Sequence, residues 1–195
     1  KYIMFNDAGR AFFNAKVTRE LYVQLPPEEI LPGEENMVGR LNLCLYGTRD
    51  AAMQWQECVA DHLAKIGFRR SAAFPSLYRH DDRDLCTLIH GDDYVSSGSK
   101  ENVKWLKGEL EKVFEIKSEV VGYDDVEVKS EGKVLNRLIS VGKEGWTLEA
   151  DPRHAELLIE DLKVERRLAT PGGDEKEPGE EQELQPAEAS RFRSL

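Results

Sequence analysis

Residues 89–95 have the sequence Ile-His-Gly-Asp-Asp-Tyr-Val, which places two adjacent carboxylates, Asp92 and Asp93, between two apolar runs. The apolar runs predict two strands, and the glycine and aspartates between them predict a hairpin turn. Paired acids at the end of a hairpin can also hold a divalent metal ion. From this stretch alone, a plain turn and a metal site both remain open.

A third carboxylate, Asp7, follows another apolar run at residues 2–5, which predicts a buried strand. If this strand is a neighbour of the hairpin, Asp7 and Asp92 can share hard cations. Mg²⁺ prefers oxygen ligands and keeps waters and substrate phosphates in its shell. Two such ions about 3.5–4 Å apart would clamp the attacking and leaving oxygens of a phosphoryl transfer.

The bulk composition limits the class of protein. A chain of 195 residues with 40% hydrophobic content fits one domain with a core. Its three cysteines show no paired spacing, which predicts reduced thiols and an intracellular location, cytoplasmic or nuclear. No run reaches the length of a membrane span, so no membrane partner is expected. The chain starts at Lys1 without a methionine, and we expect it to be a piece of a longer protein.

The charge is unfavourable for a protein that binds nucleic acid through bulk electrostatics. Net charge is −10, of which residues 171–195 contribute −4 (seven acids, three bases), leaving −6 for residues 1–170. Any contact with nucleic acid would therefore depend on local basic groups and bound metal. The glycine, proline and glutamate content after residue 170 predicts a domain at 1–170 followed by an acidic, disordered tail or linker at 171–195.

The apolar periodicity predicts an α+β fold, because strands and helices are mixed without regular βαβ alternation. Spacings of three and four predict helices at 50–66 and 100–114, with Ser99 as the cap of the second. Trp55 lies on the apolar face of the first helix and is expected in the core. The other predicted elements are a short helix at 11–17, extended segments at 37–45, 77–78, 85–89, 94–97, 134–141 and 146–150, and a third helix opened by Asp151 and Pro152.

Six segments, in chain order, resemble the reverse transcriptase domain of copia-type LTR retrotransposons, which is part of a Pol polyprotein. They are residues 7–14 (DAGRAFFN; family D-V-K-T-A-F-L-N), 20–27 (ELYVQLPP; E-x-Y-M-x-x-P-P), 45–55 (LYGTRDAAMQW; L-Y-G-L-K-Q-A-P-R-x-W), 67–78 (GFRRS…PSLY; G-F-x-x-S…D-P-x-L-Y), 90–93 (HGDD; Y-V-D-D) and 169–171 (ATP; S-T-P). The resemblance implies a reverse-transcriptase palm, with the acids along one edge of an antiparallel sheet backed by the two helices. Residues 134–163 would begin the thumb side.

The resemblance implies roles for the three acids. Asp7 and Asp92 match the family's metal-binding carboxylates, and Asp93 matches its third active-site acid. The implied cofactor is a pair of Mg²⁺ ions, with Mn²⁺ as the alternative. The implied reaction is attack of a primer 3′-hydroxyl on the α-phosphate of a deoxynucleoside triphosphate.

The resemblance also implies a nucleotide pocket. Phe12 matches the aromatic residue that closes the sugar pocket and favours deoxynucleotides. Tyr46 and Gly47 match the segment that lines the incoming nucleotide and the template, and Arg49 stands where the family has a lysine near the phosphates. The implied partners are a primed RNA or DNA template, the deoxynucleotide and the other Pol domains, integrase and ribonuclease H. A virus-like particle is then a further expected location.

Several positions depart from the family pattern. His90 and Gly91 replace the tyrosine and valine before the acids, Ala52 replaces a proline, and Gly9 replaces a lysine. The fingers segment expected before Asp7 lies outside this chain. These departures keep open a decayed or domesticated palm that binds nucleic acid or protein without catalysis. An unrelated metal-dependent phosphohydrolase would need more acids or histidines near Asp7.

Overall fold

The computed structural model describes residues 1–150, 153–161, 163, 185–187 and 189–190. Contacts divide the chain into two compact units, Lys1–Glu149 and Ala150–Leu195. The strands, in chain order, are β1 (Tyr2–Ala8), β2 (Tyr22–Gln24), β3 (Val38–Arg40), β4 (Arg69–Arg70), β5 (Leu77–His80), β6 (Leu85–His90), β7 (Asp93–Gly98), β8 (Ile116–Val121), β9 (Glu131–Val134), β10 (Arg137–Gly142) and β11 (Gly145–Glu149). The helices are α1 (Ala51–Lys65), α2 (Lys100–Glu111) and α3 (Arg153–Asp161). None of these described helices is long and apolar enough to cross a lipid bilayer.

Six strands form one antiparallel sheet in the order β4-β5-β6-β7-β1-β8. The neighbouring strands β7 and β1 pair in a register that sets Asp7 opposite Asp93. Because successive side chains of a strand point to opposite faces, Met4 lies on one face of β1, and Phe5 and Asp7 lie on the other. The predicted mixture of helices and antiparallel strands is confirmed.

Helices α1 and α2 cover the face of the sheet that carries Met4, and together they form the main hydrophobic core. Their apolar residues recur at spacings of three and four, so each helix turns one stripe toward the sheet. Ser99 caps α2 as predicted, because its hydroxyl accepts a hydrogen bond from the backbone N–H of Asn102 at 3.2 Å. Trp55 on α1 is 1% exposed, which confirms its predicted place in the core.

The three-stranded sheet β11-β10-β9 packs on the opposite face of the large sheet. Phe5, Val121 and Val141 form a second buried cluster there. Gly132 on β9 permits this close approach, because a Cβ atom at that position would lie 2.5 Å from the ring of Phe5. Strands β2 and β3 form a separate two-stranded ribbon.

Some predicted elements are shorter in the structure. The helix predicted at 11–17 is a 3₁₀ helix over Ala11–Asn14, and the extended segment predicted at 37–45 contains only β3 as a strand. The second long helix ends at Glu111 rather than at residue 114. The third predicted helix is present as α3, but its expected opening residues, 151 and 152, lie outside the described residues. So does the predicted domain boundary after residue 170.

The prediction of one continuous strand over residues 134–141 is wrong. Leu135 and Asn136 take φ values of 47° and 58°, and they form the two-residue turn between β9 and β10. Positive φ at both central residues is the type I′ geometry, whose twist matches that of the flanking strands. The apolar pattern concealed this turn, because only Asn136 is a residue that commonly takes such a conformation.

Candidate functional site

The three predicted acids lie together at one end of the paired strands β1 and β7. Asp7 is near the end of β1, Asp93 begins β7, and the register sets them directly opposite each other. Asp92 lies in the two-residue turn between β6 and β7, where Gly91 has a φ of 65°. The carbonyl of Asp92 accepts a hydrogen bond from the backbone N–H of Ala8 at 3.0 Å, so the turn is tied to the end of β1.

The surroundings of Asp93 disfavour its charged form. Partial burial is the largest cause of a raised pKa for this carboxyl, and repulsion from Asp92 and then from Asp7 adds to it. The neighbouring His90, which pairs with Asp93 across the hairpin, acts in the opposite direction. The side chain of His90 is exposed. A cation bound near these acids would offset the repulsion that Asp92 and Asp7 exert on Asp93.

A cavity of about 240 Å³ opens on the face of the sheet that carries Asp7 and Asp93. Lys117 on β8 and Lys133 on β9 also line it. The β1–β8 register sets Lys117 directly opposite Asp7, on the side away from Asp93. Sequence reasoning missed this lysine, because residues 116–121 carry no clear strand pattern. The cavity therefore combines anionic groups that suit a metal with cationic groups that suit phosphate.

A metal ion at these acids would need ligands from outside the protein. Among the described residues, no three His, Cys, Asp or Glu side chains are grouped closely enough to hold a metal ion by themselves. Mg²⁺ is commonly held by one or two carboxylates, with water and substrate phosphates completing its shell. Asp7 and Asp92 offer the hard oxygen donors that such a shell requires.

The predicted nucleotide residues Phe12 and Tyr46 are brought into contact. Their ring centroids are 4.4 Å apart and the planes are inclined by 34°. Phe13, which was not predicted, also contacts Tyr46: the two rings meet edge-to-face with their centroids 5.6 Å apart. Phe12 and Phe13 lie in the 3₁₀ helix that begins three residues after β1. Arg10 takes a left-handed conformation (φ 51°), which turns the chain into this helix.

The other two predicted nucleotide residues, Gly47 and Arg49, have no such ring contact in the described part of the chain. Gly47 has a φ of 89°, with open space where a Cβ atom would lie. Arg49 is exposed, and it forms no ion pair with the three acids among the described side chains. The nearby Arg19 instead binds Asp50 through Nε and Nη2 at 3.1–3.3 Å and, as the largest cause, lowers the pKa of that carboxyl. Arg49 contributes to that lowered pKa more weakly.

Comparison with known families shows to which family the chain belongs. The family model for reverse transcriptase (RNA-dependent DNA polymerase) matches residues 2–136, well over half of the chain. This chain belongs to the reverse transcriptase family. The resemblance to the reverse transcriptase domain of retrotransposon Pol polyproteins is thereby confirmed, and members of this family generally use divalent metal ions.

Several curated reverse transcriptase relatives are transposon proteins. The Pol polyprotein of transposon TNT 1-94 from Nicotiana tabacum is 27% identical over 115 residues, which is 57% of this chain and 9% of that polyprotein. A transposon Ty5-1 protein of Saccharomyces cerevisiae is 29% identical over 114 residues, 57% of this chain and 37% of that protein. The Pol polyprotein of transposon RE1 from Arabidopsis thaliana is 28% identical over 95 residues, 48% of this chain and 6% of that polyprotein. The chain thus spans well under two thirds of the length of these relatives.

Proposed function

We propose that this chain is the palm of an RNA-directed DNA polymerase from a copia-type retrotransposon. The observation that carries the proposal is the pairing of Asp7 on β1 with Asp93 on β7, with Asp92 in the adjoining turn. The family match and the contact between Phe12 and Tyr46 support it. The substrates would be a primed RNA or DNA template and deoxynucleoside triphosphates.

In this proposal Asp7 and Asp92 are the ligands of the divalent cations, Mg²⁺ or alternatively Mn²⁺. The bound metal would supply stabilisation of the phosphoryl oxygens and a lower pKa for the primer 3′-hydroxyl. Asp93, whose pKa is raised by burial and by the other two acids, completes the negative field that holds the cations. Lys117 and Lys133 line the same cavity and would attract the phosphates of the primer or nucleotide.

Phe12 and Tyr46 would form the wall of the nucleotide pocket. Phe12 is half-buried and packs against Tyr46, so its ring has little freedom to move away from a bulky sugar. Such a wall would crowd a ribose 2′-hydroxyl and select deoxynucleotides. Gly47 leaves open space where a side chain would lie, and Arg49 is an exposed cation three residues after Tyr46.

The relatives are polyproteins much longer than this chain. We therefore propose that the palm works beside other Pol domains, integrase and ribonuclease H, which would be its protein partners. The six-stranded sheet and the two helices on one face would be the palm itself. The sheet β9–β11 would begin the thumb side, as would α3.

A second candidate function is a non-catalytic palm that binds nucleic acid or protein. The observation that favours it is the replacement of the family's tyrosine and valine by His90 and Gly91. A Mg²⁺ titration by calorimetry separates the two candidates. The polymerase proposal expects saturable binding that is lost in Asp7→Asn and kept in Asp82→Asn, an exposed aspartate in the turn between β5 and β6. Absence of saturable binding by the unmodified protein would favour the binding module.

A further inference from the structure

The turn that carries Asp92 is tethered to the helix behind it. The indole Nε1–H of Trp55 on α1 donates a hydrogen bond to the carbonyl oxygen of Gly91 at 2.9 Å. Trp55 is 1% exposed, and Phe114 packs edge-to-face on its ring at 5.1 Å. The donor is therefore held in one place by the core.

This hydrogen bond acts together with a second one. The Gly91 carbonyl belongs to the peptide unit before the Cα of Asp92, and the Asp92 carbonyl belongs to the unit after it. The Gly91 carbonyl accepts from Trp55, and the Asp92 carbonyl accepts from the backbone N–H of Ala8 at 3.0 Å. With both flanking peptide planes fixed, the direction of the Cα–Cβ bond of Asp92 is fixed as well.

The tether has particular value in this chain because glycine precedes the acid. Glycine has wide conformational freedom, and Gly91 has open space around it where a Cβ atom would lie. Nothing in the side chain at position 91 can hold the turn. The pairing of His90 with Asp93 closes the turn, and the hydrogen bonds from Trp55 and from the backbone of Ala8 add a constraint from outside the hairpin.

We propose that Trp55 is a positioning residue, which fixes the carboxylate of Asp92 through the Gly91 carbonyl. The inference rests on the proposed function in that Asp92 is taken as a metal ligand. Groups that orient metal ligands typically change metal affinity by about 10–100-fold when they are removed. Loss of the indole N–H is therefore expected to weaken Mn²⁺ binding by about tenfold, with no large loss of folded protein.

The test uses two variants at position 55 and a matched control. Trp55→Phe removes the donor with part of the ring, and β-(3-benzothienyl)alanine at position 55 keeps the fused ring but replaces N–H by sulfur. Trp105→Phe is the control, because Trp105 lies on α2, where it packs on His80 and Arg83. Hydrogen exchange of the peptide covering residues 89–95 is measured without metal, and Mn²⁺ affinity is measured by electron paramagnetic resonance.

Faster exchange of residues 89–95 in both position-55 variants, unchanged exchange in Trp105→Phe, and about tenfold weaker Mn²⁺ binding would support the inference. Unchanged exchange in the benzothienyl variant would overturn it, since the turn would then be held without the N–H. Faster exchange with unchanged Mn²⁺ affinity would also overturn it, because the carboxylate would not depend on the tether. If the unmodified protein binds no Mn²⁺, the proposed function fails, while the exchange data alone still decide whether Trp55 fixes the turn.

Discussion

Replacing Asp93 by asparagine is expected to stabilise the protein when divalent metal is absent. Asp93 and Asp7 occupy directly opposed positions on β7 and β1, where side chains begin about 5 Å apart. Two like charges at that distance repel by about 0.8 kcal/mol in water and about 3 kcal/mol at an effective dielectric constant of 20. Asp93 is half-buried and Lys117 offsets part of the field at Asp7, so we expect a gain of about 1 kcal/mol at pH 7.

The pH dependence of this gain has a definite sign. The folded protein holds the proton of Asp93 more tightly than the unfolded chain does, since its pKa is raised by burial and by the two other acids. Stability that depends on this proton is present below the ordinary pKa of 3.8 and is lost as the pH rises through the folded pKa. The advantage of Asp93→Asn is therefore expected to be smallest at acid pH and to grow toward neutrality.

The assay is thermal denaturation in the presence of a chelator, at a series of pH values from 3 to 7. A gain of about 1 kcal/mol corresponds to a melting temperature about 2–4 °C higher for a chain of this size. Asp82→Asn, which changes an exposed aspartate outside the acid group, is the control and is expected to leave stability unchanged. If the Asp93→Asn protein is less stable than the unmodified protein at pH 7 without metal, the repulsion inferred from the register is refuted.

Two further predictions follow from other contacts. Phe12→Ala is expected to raise the ratio of ribonucleotide to deoxynucleotide incorporation by roughly tenfold or more, measured as a ratio of kcat/KM. Phe13→Ala is expected to leave this ratio unchanged. Equal ratios in the two variants would contradict the role given to Phe12. Lys100→Met is expected to lower the denaturation midpoint at pH 7, because Lys100 binds Asp125 at 2.7 Å and is the largest cause that lowers the pKa of this carboxyl to about 2. That stability is present above the ordinary pKa and lost as the pH falls through about 2, so a difference that persists below pH 2 would argue against the ion pair.

The long elements could be predicted because their patterns are strong. The helix predicted at 50–66 is found at Ala51–Lys65. Its apolar residues recur at spacings of three and four, which places them on one face of a helix. The hairpin around Gly91 was predicted from turn residues between apolar runs, and both of its strands are present. Strand β8 was not predicted, because its sequence has no clear strand pattern and the strand is defined by its pairing with β1.

The composition of the candidate site could be predicted, but its geometry could not. The motifs predicted that Asp7, Asp92 and Asp93 lie along one edge of the sheet. A slip of one residue in register would nevertheless turn Asp7 or Asp93 to the opposite face. The register is fixed by the core packing of residues such as Met4 and Tyr94, which no local pattern shows. For the same reason Lys117 and the hydrogen bond from Trp55 to Gly91 were found only in the structure.

The most direct measurement of the central claim is extension of a labelled DNA primer on an RNA template with Mg²⁺ and deoxynucleotides. The unmodified protein, Asp92→Asn and Asp82→Asn are compared at equal concentration of folded protein. We expect template-dependent extension by the unmodified protein and by Asp82→Asn, and loss of extension in Asp92→Asn. Equal extension by Asp92→Asn and the unmodified protein, or no extension by any of the three, would contradict a polymerase site built on Asp7, Asp92 and Asp93.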